Sequence, residues 1–156
     1  MNFKQITNSI TKTEQSLSAL PLRLIAGLLF TAHGGQKLFA WFGGYGLDGT
    51  GQWMESIGLA PGYLMALMAG SAEFFGGLLL IIGFLTRPTS LVLAITMIVA
   101  IVTVHIDNGL FISNNGYEFG LSLLAITVAL FIQGGGKHSI DEKVYQAINQ
   151  SLNIEN

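Results

Sequence analysis

Cysteine is absent from this chain, and charged residues are scarce. None of the 156 residues is a cysteine, and charged residues make up 10% of the chain against 51% hydrophobic residues. A chain without thiols cannot run a disulfide relay of its own. Soluble domains carry about 25% charged residues, so the shortage of charge indicates a protein whose surface largely faces lipid.

The chain also lacks the signs of nucleotide or nucleic-acid binding. Its formal net charge is −2, and it contains neither a basic patch nor a phosphate loop of the Walker type. The glycine-rich segment 43–51, GGYGLDGTG, follows a helical stretch where a dinucleotide fingerprint would follow a strand. We therefore expect no nucleic-acid partner and no metal site, and we interpret 43–51 as an outer loop.

Four stretches are apolar and long enough to cross a membrane, and they lie near 21–40, 62–85, 88–106 and 117–133. Crossing roughly 30 Å of hydrocarbon takes about 20 helical residues, and a helix satisfies its own backbone hydrogen bonds in lipid. The fourth stretch stops at a run of three glycines, which is a helix-ending signal. The sequence therefore predicts an all-α membrane protein, a four-transmembrane-helix up-down bundle, with residues 1–156 as a single domain.

Two alternatives compete with this fold. A soluble bundle of four buried helices would need polar helix faces for water, and these stretches show none. The first stretch also resembles a signal peptide, because Lys4 and Lys12 precede an apolar core. It is long, however, and no A-x-A-like cleavage site follows it, so we interpret it as a mature helix.

The distribution of lysine and arginine predicts the orientation of the helices. Short cytoplasmic connections gather these residues. They occur at the start of the chain (Lys4, Lys12 and Arg23), at Arg87 between the second and third stretches, and in the tail (Lys137 and Lys143), whereas the segments 41–61 and 107–116 contain none. We therefore expect a multi-pass protein with both termini in the cytoplasm and these two segments facing outward.

The first stretch carries polar side chains near its outer end. His33 and Lys37 are four residues apart and Gln36 is three from His33, so all three share one helical face. Lys37 and Arg23 lie near the two ends of the stretch, where long basic side chains also serve as plain interfacial anchors. His33 lies about seven residues, on the order of 10 Å, below the outer end, which makes it a candidate catalytic residue.

Glu73 is the only charged residue in the segment 63–85. An ionisable side chain at such depth is costly and indicates a functional site. Its neighbours three and four positions away are all small, which lets helices approach closely: Ala69, Gly70, Gly76 and Gly77. We therefore expect Glu73 to point between helices, either as a catalytic group that handles a proton or as a structural carboxylate that clamps two helices together.

Two further polar residues lie at the outer helix ends. His105 closes the third stretch and Glu118 opens the fourth. Each is common at a helix terminus for electrostatic reasons alone. In an up-down bundle, however, both approach the same side as His33 and Lys37. We therefore expect one polar pocket, with Glu73 below its mouth and Lys37, His105, Glu118 and Arg23 as substrate-binding candidates.

Several of these segments together resemble the DoxX family of small four-helix membrane proteins, over roughly residues 20–142. They are, in order, LRLIAGLLFTAHGGQKLF, MAGSAEFFGGLLLIIGFLTRPTS, VHIDNGLF, GYEFGLSLLAI and GGGKHSID. The resemblance implies a bundle in the bacterial inner membrane and an association with redox chemistry, as in the DoxD-type subunit of thiosulfate:quinone oxidoreductase. The positions that match the family's polar pattern are Arg23, His33, Lys37, Glu73, Arg87, His105 and Glu118.

Two hypotheses of function follow. In the first, the chain is a membrane oxidoreductase component that binds a quinone from the lipid bilayer; His33 or Lys37 bonds a ring oxygen and Glu73 handles a proton. In the second, it is a non-catalytic scaffold that recruits redox or stress-response partners. A haem held by His33 and His105 is a weaker third reading. No covalent cofactor is expected, and a soluble redox protein and further copies of the chain are candidate partners.

Overall fold

Helices form at all four apolar stretches in the computed structural model of the protein, which describes residues 3–14 and 16–154. The described residues contain no strand. Their α-helices, numbered along the chain, are α1 Phe3–Thr11, α2 Ala19–Phe39, α3 Gly46–Ser56, α4 Gly62–Ile82, α5 Thr86–Ala100, α6 Glu118–Gln133 and α7 Ile140–Ile154. The all-helical fold that the sequence predicts is confirmed.

The long helices start and stop at residues that the sequence marks for this. Pro88 lies in the first turn of α5, where a missing backbone N–H costs little. Gly83 follows the last residue of α4 with a φ of 67°, a left-handed conformation that glycine adopts without steric cost. The residue after α6 is Gly134, the first of the three glycines.

The structure adds helices that the sequence analysis did not predict. The segment 43–51, interpreted as a loop, contributes instead most of α3, which packs on α4. The tail forms α7, and α1 packs against it. Beyond Ala100, α5 continues as a π-helix, Ile101–His105, and a short 3₁₀ turn, Ile106–Asn108.

The helices α2, α4, α5 and α6 lie side by side, and each runs antiparallel to the one before it in this series. α2 contacts α4, α4 contacts α5, α5 contacts α6, and α6 returns to α2. We call the end that carries residues 40–61 and 106–117 the loop end. The opposite end, with α1, the turn 83–85 and α7, is the terminal end.

The contact between α2 and α4 is made by glycines on both helices. A Cβ atom added to Gly77 would lie 2.5 Å from the backbone nitrogen of Thr31 and 2.6 Å from the carbonyl oxygen of Gly27. A Cβ atom on Gly34 would lie 2.3 Å from the backbone nitrogen of Phe74. The two backbones therefore touch over two helical turns, which only small residues allow.

The buried core lies between these four helices, and the outward side chains are apolar as well. The core contains Ala19, Ala26, Phe30, Leu80, Leu93, Met97, Leu123 and Leu130. Outside it, many large apolar side chains are exposed, for example Leu28 at 62% and Val102 at 58%. Two helical segments, Gly62–Ile82 and Thr86–Asn108, are long and apolar enough to span a membrane, and Glu118–Gln133 is a shorter apolar helix.

We predict that Gly77→Ala destabilises the protein, whereas Gly76→Ala is tolerated. The new methyl group at position 77 meets the backbone of α2, which cannot move aside alone, and overpacking of this kind costs roughly 1–3 kcal/mol. At position 76 the nearest atoms are 3.3 Å away and belong to the side chain of Leu93. Thermal unfolding of the two purified variants in detergent compares them directly. Equal melting temperatures would contradict the backbone contact.

Candidate functional site

A partly buried ion pair joins α2 to α4. Lys37 Nζ lies 2.6 Å from Glu73 Oε2 and donates a hydrogen bond to it. The side chain of Glu73 is 5% exposed and that of Lys37 is 24% exposed. The expectation that Glu73 lies between helices is confirmed, and its partner is the lysine on the adjacent helix.

The glycine contacts determine which residues can reach Glu73. Gly34 lies against the backbone of Phe74, which places Glu73 at the level of His33. Lys37 is one helical turn closer to the loop end. Side chains lean toward the N-terminus of their own helix, and because α2 and α4 are antiparallel, Lys37 and Glu73 lean toward each other.

His33 completes this group, which we call the Glu73 cluster: His33, Lys37 and Glu73. The imidazole is close enough to Lys37 and Glu73 to interact electrostatically with both, and the side chain of Gln36 is a further polar neighbour. Its ring centroid lies 5.8 Å from that of Phe119 on α6. The cluster therefore connects α2, α4 and the first turn of α6.

Aromatic rings cover the loop-end side of the same helix contact. Phe74 directly follows Glu73, and its ring centroid lies 5.2 Å from that of Phe39 and 5.6 Å from that of Trp41. Trp41 also lies against Gly35, where a Cβ atom would meet the indole at 2.6 Å. Flat apolar surfaces therefore adjoin the ionisable groups.

The structure does not bring His105 and Glu118 into contact with Glu73. His105 Nδ1 lies 2.8 Å from the carbonyl oxygen of Asn115. Glu118 Oε1 accepts a hydrogen bond of 2.6 Å from the backbone N–H of Ile112. Both side chains therefore hold the connection between α5 and α6 in place, and the binding roles expected for them stay predictions.

Arg23 lies at the terminal end, far from the Glu73 cluster. It is fourteen residues before Lys37 on the same helix, which corresponds to about 21 Å. The side chain is fully buried, and its Nη2 donates a hydrogen bond of 2.7 Å to the carbonyl oxygen of His138. Interfacial anchoring, the simple alternative for this residue, does not describe a buried guanidinium group.

Asp141 is a structural residue that the sequence analysis missed. Its two carboxylate oxygens accept hydrogen bonds of 2.8 Å from the backbone N–H groups of Leu85 and Thr86. It thus caps the start of α5 from the first turn of α7, and it attracts Arg23 electrostatically. The signal in the sequence was Ser139 three residues before Glu142, a capping-box pattern that marks a helix start.

Arg87 connects the turn at the terminal end to its neighbours. Its Nε donates to the carbonyl oxygen of Lys12 at 2.8 Å, and its Nη1 donates to that of Phe131 at 3.0 Å. Phe131 lies in the last turn of α6, where a cation is favourable because the helix dipole is negative there.

Two surface cavities lie near the loop end, and neither is lined by the Glu73 cluster. The larger, of about 640 Å³, is lined by Asp48, Gly51, Gln52, Glu55, Ser56 and Tyr63. The other, of about 230 Å³, lies between α5 and α6. Among the described residues, no three His, Asp or Glu side chains are close enough together to hold a metal ion.

Comparisons with known proteins agree in pointing to one family. The DoxX family profile matches residues 18–106. The chain is 36% identical to "Putative oxidoreductase CatD" of Bacillus subtilis, over 73% of this chain and 78% of that protein. It is 32% identical to "Inner membrane protein YqjF" of Escherichia coli, over 83% and 94% of the two chains. No solved structure matches the chain.

We predict energetic coupling between Lys37 and Glu73 in a double-mutant cycle with Lys37→Met and Glu73→Gln. The loss of either partner leaves a polar group in an apolar contact, so the double variant should be more stable than the two single losses imply. A coupling free energy on the order of 1 kcal/mol is expected from polar pairs between membrane helices. Reversible unfolding in mixed detergent gives the four free energies.

The matched control combines Lys37→Met with Glu118→Gln. Glu118 accepts a hydrogen bond from the backbone of Ile112 and has no described contact with Lys37. The losses of unfolding free energy in the two single variants should therefore add up to that of the double variant within about 0.5 kcal/mol. Coupling of equal size in both cycles would contradict the pairing.

Proposed function

Since the chain belongs to the DoxX family of membrane proteins, we propose that it is a quinone-linked oxidoreductase component of the bacterial inner membrane. One observation carries the proposal: a carboxylate, an ammonium group and an imidazole lie together at the α2–α4 contact, at the depth of His33. Ionisable residues inside a membrane protein mark sites of ligand binding or proton transfer.

We propose that α2, α4, the helical segment Thr86–Asn108 and α6 all cross the membrane. α2 has the length of a span at 21 residues, and its Arg23 and Lys37 both point away from lipid into described partners. α6 has 16 residues, or about 24 Å, and Tyr117 precedes it at the loop end as the N-cap residue. The positive-inside rule then places the termini in the cytoplasm.

The Glu73 cluster supplies the groups that quinone chemistry requires from a protein. In this proposal Lys37 Nζ donates a hydrogen bond to a ring oxygen, and Glu73 exchanges a proton with it. His33, whose ring packs against that of Phe119, bonds the second oxygen. The rings of Phe39, Trp41 and Phe74 offer surfaces for stacking. The proposal assigns the supply of electrons to a soluble redox protein that docks on the membrane.

A ligand reaches the cluster in this scheme by displacing the lysine. Lys37 lies two residues before the end of α2, and its ammonium group is carried on a flexible stem of four carbons. Its partial exposure of 24% marks the side on which the cluster is open. Glu73 has less room to move in this way, because its side chain is only 5% exposed.

The second candidate function is the non-catalytic scaffold, and one observation favours it. Lys37 and Glu73 satisfy each other at 2.6 Å, and neither surface cavity is lined by them. A pair of this kind can serve only to fix α2 against α4. Under this alternative the charges matter through the stability of the contact alone.

We predict that Glu73→Gln abolishes the quinone-linked activity, while the charge-swapped variant Lys37→Glu/Glu73→Lys regains stability without activity. Gln keeps the size and the hydrogen-bonding capacity of Glu73 but loses its charge and cannot exchange a proton. The swap restores the ion pair but places the carboxylate on α2 and the ammonium group on α4. The measurements are protection of a deletion strain against added benzoquinone, and melting temperature in detergent.

The two hypotheses make different predictions about whether protection against benzoquinone recovers together with the melting temperature in these variants. If protection returns in the swapped variant together with its melting temperature, the pair acts as a clamp and the scaffold function is favoured. If Glu73→Gln protects fully at normal expression, proton transfer by Glu73 is refuted.

We predict that single cysteines report the proposed topology, since the chain has no cysteine of its own. Ser56→Cys and Ser113→Cys lie in exposed positions at the loop end, and Lys137→Cys and Lys143→Cys are exposed at the terminal end. A membrane-impermeant maleimide added to intact spheroplasts should label the first two variants only. Labelling of position 137 before lysis would contradict cytoplasmic termini.

A further inference from the structure

Arg23, Thr86 and Ser90 each bury a polar atom that has no hydrogen-bond partner within the part of the chain that the structure describes. The atoms are Arg23 Nε on α2 and the hydroxyl oxygens of Thr86 and Ser90 on α5. All three side chains are fully buried. Buried polar atoms in proteins are nearly always paired with protein groups or ordered water, so atoms of this kind indicate a bound molecule or ion.

The packing around the α4–α5 turn brings Arg23 and Thr86 close together. A Cβ atom on Gly83 would lie 2.8 Å from Arg23 Cζ and 2.5 Å from the Cβ atom of Ser139. A Cβ atom on Gly135 would lie 2.8 Å from Ser139 Oγ and 2.9 Å from Thr86 Oγ1. Ser139 therefore lies between the guanidinium group and the hydroxyl group of Thr86.

Ser90 lies one helical turn deeper, on the same face of α5. The register of α4 and α5 is given by Leu93, whose side chain a Cβ atom on Gly76 would meet at 3.3 Å. Because the two helices are antiparallel, Ser90, three residues nearer the turn, lies close to the level of Leu80. The carbonyl oxygen of Leu80 is 3.5 Å from Arg23 Nη1. The guanidinium group and the hydroxyl group of Ser90 therefore lie at one level of the bundle.

The hydroxyl group of Ser90 does not bond its own helix. Many serine and threonine hydroxyl groups inside helices donate to the carbonyl oxygen four residues earlier. Several in this protein do so: Thr31, Thr96, Thr103, Ser122 and Thr127. Ser90 Oγ makes no such bond to the carbonyl oxygen of Thr86 within the described structure. Its donor and acceptor capacity is therefore available to a ligand.

The charges and the space at this place favour a small neutral ligand over an anion. Asp141 attracts Arg23 electrostatically, and Glu142, the next residue, is also buried. Buried carboxylates thus offset the charge of the guanidinium group and leave no excess positive charge for an anion. The space is narrow, because even a methyl group on Gly83 would collide with Arg23 Nη1. Water is neutral and small, and it both donates and accepts hydrogen bonds.

We propose that Arg23, Thr86 and Ser90 form a binding site for a buried water molecule, which we call the Arg23 site. The water oxygen accepts a hydrogen bond from Arg23 Nε–H, and its hydrogens are donated to the two hydroxyl oxygens. About three hydrogen bonds are typical of a buried water. α2 and α5 lie diagonally across the bundle, so the water connects two helices that do not pack against each other at length.

The connection between α6 and α7 closes the Arg23 site from the terminal end. The carbonyl oxygen of His138 holds Arg23 Nη2 at 2.7 Å, and Gly135 lies against Thr86. This assigns a role to the three glycines and the HSID segment, which the proposed function leaves unused. The inference does not depend on the quinone proposal, since it concerns the opposite end of the bundle from the Glu73 cluster.

NMR of the wild-type protein in nanodiscs tests the site without a mutation in it. Arg23 and Arg87 are the two arginines of the chain, so labelling with nitrogen-15 arginine gives two Nε signals, and Arg87→Lys assigns them. Transfer of magnetisation from water should give a cross-peak at Arg23 Nε–H. A soluble gadolinium chelate should broaden the Arg87 signal, which lies in an exposed contact, and spare the Arg23 signal.

A matched pair of variants tests the contribution of Ser90. Ser90→Ala removes one of the three partners, so the water cross-peak at Arg23 Nε–H should fall about twofold or more. Ser122→Ala removes a hydroxyl group that bonds its own helix at Glu118 and should leave the cross-peak unchanged. Thr86→Val, which keeps the shape of the side chain, should act like Ser90→Ala.

Three outcomes would overturn the Arg23 site. The first is a wild-type Arg23 Nε–H that shows no cross-peak to water, or one that gadolinium broadens as strongly as Arg87. The second is a shift of the Arg23 Nε signal when gluconate replaces chloride, which would assign the site to an anion. The third is an equal cross-peak in Ser90→Ala and Ser122→Ala.

Discussion

The close approach of α2 and α4 is the constraint on which the rest of the structure depends. Without Gly27, Gly34 and Gly77 the two backbones could not touch. In lipid there is no hydrophobic force between helices, so close packing and polar contacts supply the association energy. The same contact determines that Lys37 faces Glu73, and therefore that two charges can lie inside an apolar bundle without being stranded.

Much of the fold could be predicted from the sequence because its signals are local. Apolar length, the proline at 88 and the glycines at 83 and 134 mark the long helices within a few residues. The burial of Glu73 was also predictable, since four small residues surround it on its own helix. Its partner was not, because pairing Lys37 with Glu73 requires the register of two helices far apart in sequence. The glycines that determine this register can be found in the sequence. The sequence does not report, however, which glycine of α2 faces which glycine of α4.

The two ends of the molecule show why the remaining polar residues were harder to interpret. His33, Arg23, His105 and Glu118 belong to the same residue types as the members of a catalytic site. At the terminal end, however, Arg23 donates a hydrogen bond to a backbone carbonyl oxygen and Asp141 accepts hydrogen bonds from backbone N–H groups. Glu118 and His105 likewise hydrogen-bond backbone groups, in the connection between α5 and α6. Within residues 3–14 and 16–154, a direct ion pair between two side chains is seen only in the Glu73 cluster. A sequence reports which residues are polar, whereas the fold decides whether a side chain bonds the backbone or a second side chain.

The energetics of the ion pair bear on the choice between the two proposed functions. Removing two charges from water costs more than their attraction usually returns, and apolar residues of similar size often replace a buried pair without loss of stability. Glycine contacts already hold α2 against α4, so a leucine or methionine at position 37 with a small apolar residue at 73 would satisfy the fold. The pair is moreover a lysine with a carboxylate, and lysine forms a flexible point contact where arginine would form a rigid bidentate one. A purely structural ion pair would be held more firmly by the rigid guanidinium group of an arginine. A site that must release its carboxylate to a ligand gains from the flexible stem, and Lys37 is the partner with access to the surface.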